Sequence, residues 1–461
     1  MKHRRIGLEY EFLAVQLASG QAVTREIMKK IWVGWSKEKH VTLSVDDATH
    51  QPVGVYYCQA DGQQVYINTD AGISIVEFGF LPFDTLAECE ANMHQIMTEF
   101  LNVAKRFDVG LLAYGIQPKT PWYFPDMRTE KIWYRGFFRF PYMAARHTMF
   151  TNIAANQPCI DVTQEESLRV INMFNALGGV FIALFANTGV GEWRIQEHHE
   201  EREWRWNQWL NAEPLENPIA GIPPRPFGSL KEYLAYNWSI PTRAVHRPGT
   251  LHSLEDVPLI RDFLRKKEWK TMDLAAASPS VVSPEMQDVN ALTMYIWIQA
   301  RLKIFFDTAQ PLGGLLEAFD TGRVDEYASK HLEKVYVETR NIACQPWNEI
   351  MAAPAFLLGL IENIEAVEEV VKEKSWKDWI ELREQTITQS MEVPGVTDFI
   401  SKCLSISANG LQKRGLGEEK YLQPLYLRLE KKESPAIRTR NLFKEEGIEA
   451  VLYKHLIPLS T

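Results

Sequence analysis

The 461-residue chain is poor in cysteine and contains no long apolar run. Its five cysteines are an odd number, lie far apart and form no Cys-x-x-Cys pair. This usage is typical of a reducing cytosol and argues against a disulfide framework or a zinc knuckle. The longest apolar stretch, near GGVFIALFANTGV, is far shorter than the roughly 20 residues of a membrane span. We therefore expect no membrane contact.

The chain also lacks an excess of positive charge and a targeting signal. Fifty Lys and Arg residues stand against 59 Asp and Glu residues, which leaves a net charge of -9. Binding to nucleic acid needs a basic surface, so this charge argues against nucleic acid as the main partner. The basic start is followed at once by acidic residues and not by the apolar run of a secretion signal. We expect a cytoplasmic protein that acts on small-molecule substrates.

The first apolar segment, IGLEYEFLAV, predicts a strand whose two faces differ in polarity. Successive side chains of a strand point to opposite faces. The apolar residues at positions 6, 8, 10 and 12 therefore share one face, whereas Glu9 and Glu11 share the other. This second face is either the solvated side of an ordinary strand or the lining of a cavity in which two carboxylates bind a cation.

Another carboxylate, Glu77, lies in the strongly apolar segment ISIVEFGF. A lone ionised carboxylate that is buried in such a strand destabilises the fold unless it is paired or bound to a metal. The alternatives for Glu77 are a rim position or a pair with an arginine. Asp70 precedes this strand and could reach the same site. Hard oxygen ligands of this kind suit Mg²⁺, which proteins often bind through a few carboxylates plus substrate phosphates.

The remaining segments predict an α+β fold. VGVYYCQADGQQVYIN indicates a hairpin around Asp61-Gly62, and TLAECEANMHQIMTEFLNVAKRF indicates an amphipathic helix. EESLRVINMFNALGGVFIALFAN predicts one long helix, and NALTMYIWIQARLKIFFDT and APAFLLGLIENIEAVEEVVKE are also expected to be helical. Residues 211–228 form a structured loop rich in proline and glycine. We expect one catalytic domain over residues 1–461, mixed over 1–285 and mainly helical over 286–461.

Several segments, in order along the chain, resemble motifs of one enzyme family. GLEYEF is similar to a Gly-x-Glu-x-Glu strand, and VEFGFLPFDTLAE, LLAYGIQPKT and MFTNIAANQPCIDVTQEE resemble the stretches that follow it. ALFANTGVGEWRI, FGSLKEYLAYNWSIP and ARLKIFFDT continue the series, which runs to about residue 425. Together they resemble glutamate–cysteine ligases of the plant and proteobacterial type, which are glutamine synthetase-like carboxylate–amine ligases.

This resemblance implies a fold and a reaction. The implied fold has an antiparallel sheet that forms a half-open funnel backed by helices, with a helical C-terminal part. The implied reaction is ATP-dependent amide formation in glutathione biosynthesis, in which the γ-carboxyl of glutamate attacks ATP and the amine of cysteine displaces phosphate from the acyl phosphate. Because a carboxylate and a triphosphate repel each other, Mg²⁺ must neutralise their charge. We expect a monomer or a homodimer.

The resemblance also implies roles for individual residues. The implied metal ligands are Glu9, Glu11, Glu77 and Gln299. The implied catalytic residues are Arg301, which would meet the phosphates, and Arg194, which would clamp a substrate carboxylate with two parallel hydrogen bonds. The implied substrate- and nucleotide-binding residues are Gln157, Asn187, Arg194, Arg301 and Lys303.

The chain departs from the family pattern at several positions. Gln299 stands where the family usually has a glutamate, and its amide oxygen could coordinate Mg²⁺ without adding negative charge. Pro158-Cys159 replaces an asparagine that follows Gln157. These departures leave open a homologue with another amine acceptor, or a catalytically impaired nucleotide-binding protein in which Gln299→Glu would raise activity. A kinase-like enzyme is a third possibility, which rests on fold analogy alone.

The segment QEHHEEREWRWNQW combines histidines, carboxylates and tryptophans. His198 and His199 could bind zinc, but a solvated charged face is the more common reason for such a run. The tryptophans, with Arg202 and Arg205, could stack on substrate or simply pack. Cys159 is interpreted as a buried filler residue, because the sequence offers no histidine partner for a nucleophile.

Overall fold

A computed structural model describes residues 4–123, 126–137, 148–211, 215–293 and 295–458. Its strands are β1 (Ile6–Gln16), β2 (Val41–Val45), β3 (Pro52–Cys58), β4 (Gln64–Thr69), β5 (Ile75–Phe83), β6 (Val109–Leu112), β7 (Asn156–Asp161), β8 (Val190–Gly191), β9 (Arg194–Ile195), β10 (Ala220–Gly221), β11 (Ala244–Arg247), β12 (Thr250–Leu254), β13 (Trp269–Asp273), β14 (Ser278–Val282), β15 (Trp297–Ile298), β16 (Ala300–Phe306) and β17 (Leu332–Thr339). Nine of these form one antiparallel sheet in the order β16-β17-β7-β1-β5-β4-β3-β2, with β6 paired to β1. Strands β11 to β14 form a smaller antiparallel sheet.

The helices surround these sheets and dominate the C-terminal part. They are α1 (Arg25–Trp35), α2 (Leu86–Lys105), α3 (Ile132–Phe137), α4 (Gln164–Ala176), α5 (Gly178–Phe185), α6 (Glu201–Leu210), α7 (Leu230–Trp238), α8 (Ile260–Arg265), α9 (Met286–Leu292), α10 (Leu312–Asp320), α11 (Val324–His331), α12 (Ala352–Ile361), α13 (Ile364–Val371), α14 (Trp376–Gln389), α15 (Val396–Arg414), α16 (Gln423–Lys431), α17 (Pro435–Glu446) and α18 (Ile448–His455). Within the described ranges no single helix has the length and composition of a membrane span, although two bent helix pairs do when each pair is taken together.

The central strand β1 separates an apolar face from a polar one, as its sequence predicts. Its apolar face, with Leu8, Tyr10 and Phe12, is almost fully buried. Helix α2 contacts β1, β5 and β6. This helix begins with a capping box in which Thr85 and Glu88 exchange side-chain and backbone hydrogen bonds. The core on this side leaves the other face of the sheet for polar side chains.

Two predicted long helices are broken in the structure. The predicted helix over EESLRVINMFNALGGVFIALFAN consists of α4 and α5, which meet at a bend of 57°. A Cβ atom on Gly178 would lie 2.9 Å from Oε1 of Gln299, and one on Gly179 would lie 2.8 Å from the backbone N of Arg383. Glycines at the break therefore permit close packing of two other segments. Likewise, α12 and α13 replace the single helix predicted over LLGLIENIEAVEEVVKE, and the helical segment that ends in α12 meets α13 at a bend of 90°.

The helical prediction for NALTMYIWIQARLKIFFDT is wrong over most of its length. Only the first residues belong to α9, and residues 300–306 form β16. Arg301 and Lys303 share one face of this strand, while Leu302 and Ile304 are buried on the other. The polar and apolar side chains of this segment alternate with the period of two of a strand and do not follow the period of a helix. Strand β10, in the predicted proline- and glycine-rich loop, pairs with β15; residues 212–214 of that loop lie outside the described residues.

Candidate active site

Three carboxylates from β1, β5 and the turn before β5 converge on the polar face of the large sheet. The strand register places Glu11 directly opposite Glu77. Oxygen atoms of Glu11, Asp70 and Glu77 all lie within 4.8 Å of one another. We call these residues the carboxylate cluster. The structure thus brings together two of the predicted metal ligands with Asp70, and Glu9 lies two residues before Glu11 on the same strand face.

Neighbouring groups fix the orientation of these carboxylates. The backbone N of Ala155 donates to Oε2 of Glu11 at 2.7 Å, and Nε2 of Gln157 donates to Oε1 of Glu11 at 3.2 Å. On the other side, Nδ2 of Asn68 donates to Oε1 of Glu77 at 2.9 Å. The hydroxyl of Tyr134 donates to Oδ1 of Asp70 at 2.9 Å. Each carboxylate is therefore held by a donor from a different element before any ion binds.

The carboxylates of this cluster destabilise one another's charged forms. Burial, followed by the charges of Glu9 and Asp70, raises the pKa of Glu77 to about 7. Burial and the charges of Asp70 and Glu77 raise the pKa of Glu11 well above its usual range. Several oxygen ligands that repel one another at this spacing form a set that a hard divalent cation would satisfy, because the ion replaces repulsion with attraction. The residues present therefore fit Mg²⁺.

A second group of charges surrounds Glu338 on β17, which is fully buried. Nη2 of Arg301 lies 2.8 Å from Oε1 of Glu338, Nζ of Lys303 lies 2.7 Å from Oε2, and Nη1 of Arg340 lies 2.6 Å from Oε1. Burial alone would raise the pKa of Glu338, but the charges of Arg301, Lys303 and Arg340 outweigh burial and lower this pKa well below its usual range. We call Arg301, Lys303 and Arg340 the cation cluster. Three cations against one anion leave a positive charge near the carboxylate cluster.

Glu9 links the two clusters. Its strand position is opposite Gln157 on β7, and one of its oxygens lies within 4.8 Å of ligand atoms of both Cys159 and Glu338. Burial and the charge of Glu338 raise the pKa of Glu9, although Lys303 and the two arginines of the cation cluster lower it. Burial likewise raises the pKa of the Cys159 thiol well above its usual range, so this thiol is uncharged at neutral pH. The neutral thiol agrees with the interpretation of Cys159 as a filler residue and not a nucleophile, although the residue is half-buried and not fully buried as predicted.

Glu338 and Arg340 are functional candidates that the sequence reasoning missed. They lie in the segment YVETRN, where Glu338 follows the buried residue Val337. This is the signal that identified Glu77, a carboxylate within an apolar strand. Arg202 was considered only as a stacking residue, but it lines the cavity and both of its terminal nitrogens donate to the backbone O of Arg340 at 2.9 Å.

The carboxylate cluster and two of the cations line one cavity of about 340 Å³. Arg301 and Arg340 face this cavity, whereas Lys303 lies behind them against Glu338. The same cavity is also lined by aromatic residues, which we call the aromatic wall: Trp133, Tyr134, Trp206, Trp209, Tyr295 and Trp297. Of the predicted substrate-binding residues, Gln157 and Arg301 line the cavity.

Two other predicted binding residues lie elsewhere. The side chain of Arg194, in the short strand β9, is 71% exposed and its nearest carboxylate, that of Glu192, is 4.0 Å away. Arg194 is not among the residues that line the cavity, so the geometry gives no support to its predicted role as a clamp. Asn187 is fully buried, and its Nδ2 donates to the backbone O of Cys344 at 2.6 Å. This contact indicates that Asn187 stabilises the backbone.

Gln299 also points away from the carboxylate cluster. Its Nε2 donates to Oε2 of Glu203 at 2.8 Å, and its Oε1 accepts from Nδ2 of Asn341 at 3.0 Å. The same oxygen of Glu203 accepts from Nη2 of Arg383 at 2.6 Å. Gln299 and Glu203 are both fully buried. The predicted coordination of Mg²⁺ by Gln299 therefore finds no support in the structure, because both ends of its amide are engaged elsewhere.

We expect Gln299→Glu to destabilise the protein without creating activity. The new carboxylate would replace the amide that now donates to Glu203 and would repel that carboxylate at the same short distance. Two buried anions would then share Arg383 as their cation. The free energy of unfolding should fall by more than about 2 kcal/mol, measured by urea denaturation. The matched control Gln412→Glu, on the exposed side of α15, should change it by less than about 1 kcal/mol. A Gln299→Glu protein that is both stable and faster than the natural one would contradict this placement.

The histidine-rich segment is buried, so its interpretation as a solvated face is wrong. His199 is 4% exposed, and Glu200 is fully buried. Burial, followed by the charge of Arg440, lowers the pKa of His199 to about 4, so this ring is neutral. In the part of the chain that the structure describes, no group of three metal-binding side chains includes either histidine. The ring of Trp204 stacks on His198 with centroids 4.8 Å apart, which indicates packing.

Comparison with known proteins identifies one enzyme family. A model of glutamate-cysteine ligase family 2 (GCS2) matches residues 5–452. Two curated relatives are glutamate–cysteine ligase A, chloroplastic, of Oryza sativa subsp. indica and glutamate–cysteine ligase B, chloroplastic, of Oryza sativa subsp. japonica. Each is 21% identical to this chain over 394 residues, which is 81% of this chain and 69% of the relative.

Two solved structures share the fold. The glutamate–cysteine ligase of Francisella tularensis in complex with AMP has a TM-score of 0.55 and 11% identity, and the match covers 99% of this chain and 88% of that one. A bifunctional glutathione synthetase of Pasteurella multocida has a TM-score of 0.51 and 12% identity, covering 98% of this chain and 50% of that one. The predicted α+β fold, with its antiparallel sheet and helical C-terminal part, is confirmed.

Proposed function

This chain belongs to the glutamate–cysteine ligase family 2, whose members are carboxylate–amine ligases, and we propose that it forms an amide bond at the expense of ATP in the presence of Mg²⁺. The proposed donor is an amino-acid carboxylate, by default the γ-carboxyl of glutamate, and the acceptor is an amine, by default that of cysteine. The observation that carries this proposal is the position of the carboxylate cluster beside Arg301 and Arg340 on the wall of one cavity.

The proposed reaction has two steps. An oxygen of the donor carboxylate attacks the γ-phosphorus of ATP, the bond from that phosphorus to the bridging oxygen breaks, and ADP leaves with the electron pair. The amine nitrogen then attacks the acyl carbon, a C–N bond forms, and phosphate leaves with the electrons of the C–O bond. The nitrogen loses its proton to phosphate or solvent. One ATP, one carboxylate and one amine thus give ADP, phosphate and an amide.

The chain's own residues supply complementary charge for these steps. Glu11, Asp70 and Glu77 would hold Mg²⁺, which when bound neutralises phosphate charge and favours displacement at phosphorus. The guanidinium groups of Arg301 and Arg340 present planar donors to phosphate oxygens. Glu338 lies behind these arginines and holds Arg301 and Arg340 by ion pairs of 2.8 and 2.6 Å. Lys303 pairs with the same carboxylate at 2.7 Å. Gln157 orients Glu11 through its amide.

The structure does not favour a catalytically impaired homologue. The departure that suggested one, glutamine in place of glutamate at position 299, concerns a side chain that bonds to Glu203 and Asn341 outside the cavity. Glu9, Glu11 and Glu77, the metal ligands that the resemblance implies, line the cavity. The proposal of an active ligase therefore needs no compensation for a missing metal ligand.

The proposal is tested by substrate-dependent release of ADP. The purified protein is incubated with ATP, Mg²⁺, glutamate and a panel of amines, and ADP and the new amide are measured by coupled assay and mass spectrometry. We expect ADP release to require the donor, the amine and Mg²⁺ together, because the amine discharges the acyl phosphate. If no pair of donor and acceptor stimulates ADP release above the rate with ATP alone, the proposed function is wrong.

A further inference from the structure

The cavity that the carboxylates line carries more aromatic surface than a cysteine side chain requires. The aromatic residues come from three separate parts of the chain: Trp133 from α3, Trp206 and Trp209 from α6, and Tyr295 and Trp297 from the segment of β15. The rings of Trp133 and Tyr295 are stacked, with centroids 5.6 Å apart and an interplanar angle of 22°. Flat ring faces of this kind favour planar or bulky apolar groups over a small thiol.

The aromatic wall begins directly at the reacting groups. The hydroxyl of Tyr134 donates a hydrogen bond to Oδ1 of Asp70, which belongs to the carboxylate cluster. The ring of Trp206 lies 4.4 Å from the guanidinium carbon of Arg202 and 5.4 Å from that of Arg340. A ligand group that packs against this part of the wall would therefore lie next to the site where phosphate would be transferred.

This closeness favours the acceptor over the adenine of ATP as the occupant. The amine must reach the acyl carbon formed at the γ-phosphate, so the rest of the acceptor molecule must lie beside the carboxylate cluster. Adenine is separated from the γ-phosphate by ribose and two further phosphates and must therefore lie farther away. The aromatic wall adjoins the cluster through Tyr134 and Asp70, which is the position expected for the acceptor.

Two residues that line the cavity carry buried hydrogen-bond donors without a partner in the part of the chain that the structure describes. Nε1 of Trp206 and Nε of Arg340 are buried and have no hydrogen-bond partner among the described residues. Both residues line the cavity, and Trp206 is only 4% exposed. A buried donor without an acceptor is unfavourable, so a ligand carboxylate that reached these two donors would stabilise the site by accepting from them.

We propose that the amine acceptor is an α-amino acid with an aromatic or other bulky apolar side chain, and not cysteine. Its side chain packs against the aromatic wall, and its carboxylate accepts from Trp206 and Arg340. Its α-amine is then held beside the carboxylate cluster, where it attacks the acyl carbon and displaces phosphate as described above. This inference rests on the proposed function and names the acceptor for it.

The acceptor is identified by comparing amino acids under identical conditions. With ATP, Mg²⁺ and glutamate, phenylalanine and tryptophan should give values of kcat/KM at least about tenfold higher than cysteine or alanine, as expected when apolar contacts discriminate between substrates. Product masses identify the amide. Turnover with cysteine and none with phenylalanine or tryptophan would overturn the inference and leave the ligase function intact. If no pair turns over, the ligase function fails and with it the role of acceptor; equilibrium dialysis with Mg²⁺ and a non-hydrolysable ATP analogue then tests the wall alone. Tighter binding of phenylalanine than of cysteine supports a site for an aromatic side chain, and equal or weaker binding overturns that site as well.

Removal of one ring from the wall tests where the side chain binds. Trp209 is 37% exposed at the wall, so Trp209→Ala is expected to fold. It should raise KM for phenylalanine about tenfold or more and leave KM for alanine and for ATP nearly unchanged. The matched control is Trp193→Ala, which removes a tryptophan that is 52% exposed and does not line the cavity, and it should change none of these constants. A rise in KM for ATP in Trp209→Ala, with KM for phenylalanine unchanged, would assign the wall to adenine and overturn the inference.

Discussion

Replacement of Glu77 by glutamine is expected to lower kcat for ADP formation by about a thousandfold or more, because one of three convergent carboxylates loses its charge and its second metal-binding oxygen. The amide keeps the size of the side chain, and its oxygen can still accept from Nδ2 of Asn68. The loss is therefore electrostatic and not a result of collapse of β5. The rate is measured at saturating ATP and donor over a range of Mg²⁺ concentrations.

The same substitution is expected to stabilise the metal-free protein at neutral and higher pH. Burial and the charges of Glu9 and Asp70 raise the pKa of Glu77 from 4.5 to about 7 in the folded state. Protonation of Glu77 therefore contributes to the free energy of unfolding of the natural protein. This contribution is fully present below pH 4.5 and is lost as the pH rises through about 7. Glutamine carries no charge at any pH, so Glu77→Gln should be more stable than the natural protein by about 3 kcal/mol at pH 8 without Mg²⁺.

The two effects of Glu77→Gln distinguish a metal site from a structural carboxylate. If Glu77 were a structural ion-pair partner, its neutralisation would destabilise the protein. If it is a metal ligand, its neutralisation lowers the activity and stabilises the metal-free protein. The control Glu317→Gln, whose side chain is 72% exposed, should change neither kcat nor the pH dependence of unfolding. A Glu77→Gln enzyme that retains more than a tenth of the natural kcat would contradict the assignment.

Replacement of Glu338 by glutamine is expected to lower the free energy of unfolding by about 3 to 5 kcal/mol, because three buried or nearly buried cations lose their common anion. Arg301 and Arg340 would repel each other at short range without Glu338 between them, and both face the cavity. We therefore expect a loss of ADP formation as well. Urea denaturation at pH 7 measures the stability, and activity is measured well below the unfolding midpoint.

The pH dependence of Glu338 has the opposite sign to that of Glu77. The cation cluster holds the pKa of Glu338 below its value of 4.5 in the unfolded chain. Its contribution to stability is therefore present above pH 4.5 and is lost as the pH falls toward the folded-state pKa. The matched control is Glu333→Gln, an exposed residue of the same strand. A Glu338→Gln protein destabilised by less than about 1 kcal/mol would show that the cations do not depend on this anion.

The carboxylates on β1 and β5 could be predicted from the sequence because local patterns reveal them. Alternation in β1 separates Glu9 and Glu11 from the apolar face, and the cost of burying Glu77 in an apolar strand points to a partner or an ion. Glu338 carries the same local signal but was not recognised, because the helical prediction for the preceding segment obscured the strand pair of β16 and β17.

The partners of Gln299 and Arg194 could not be predicted in the same way. Gln299 bonds to Glu203, which lies 96 positions away in sequence. Glu203 in turn pairs with Arg383, which lies 180 positions from it. No local pattern indicates such contacts, which arise only when α6 and α14 pack together near the residue between β15 and β16. The role of Arg194 came from the resemblance alone, and the local turn of β8 and β9 places its side chain in solvent.

The central claim, that these carboxylates bind the divalent cation of the reaction, is tested most directly by crystals grown with Mn²⁺ and a non-hydrolysable ATP analogue. Anomalous scattering locates Mn²⁺ independently of the protein atoms. We predict at least one Mn²⁺ bonded to oxygens of Glu11, Asp70 and Glu77 at about 2.2 Å, with analogue phosphates next to Arg301 and Arg340. Analogue bound in the cavity with no Mn²⁺ on these three carboxylates would contradict the claim.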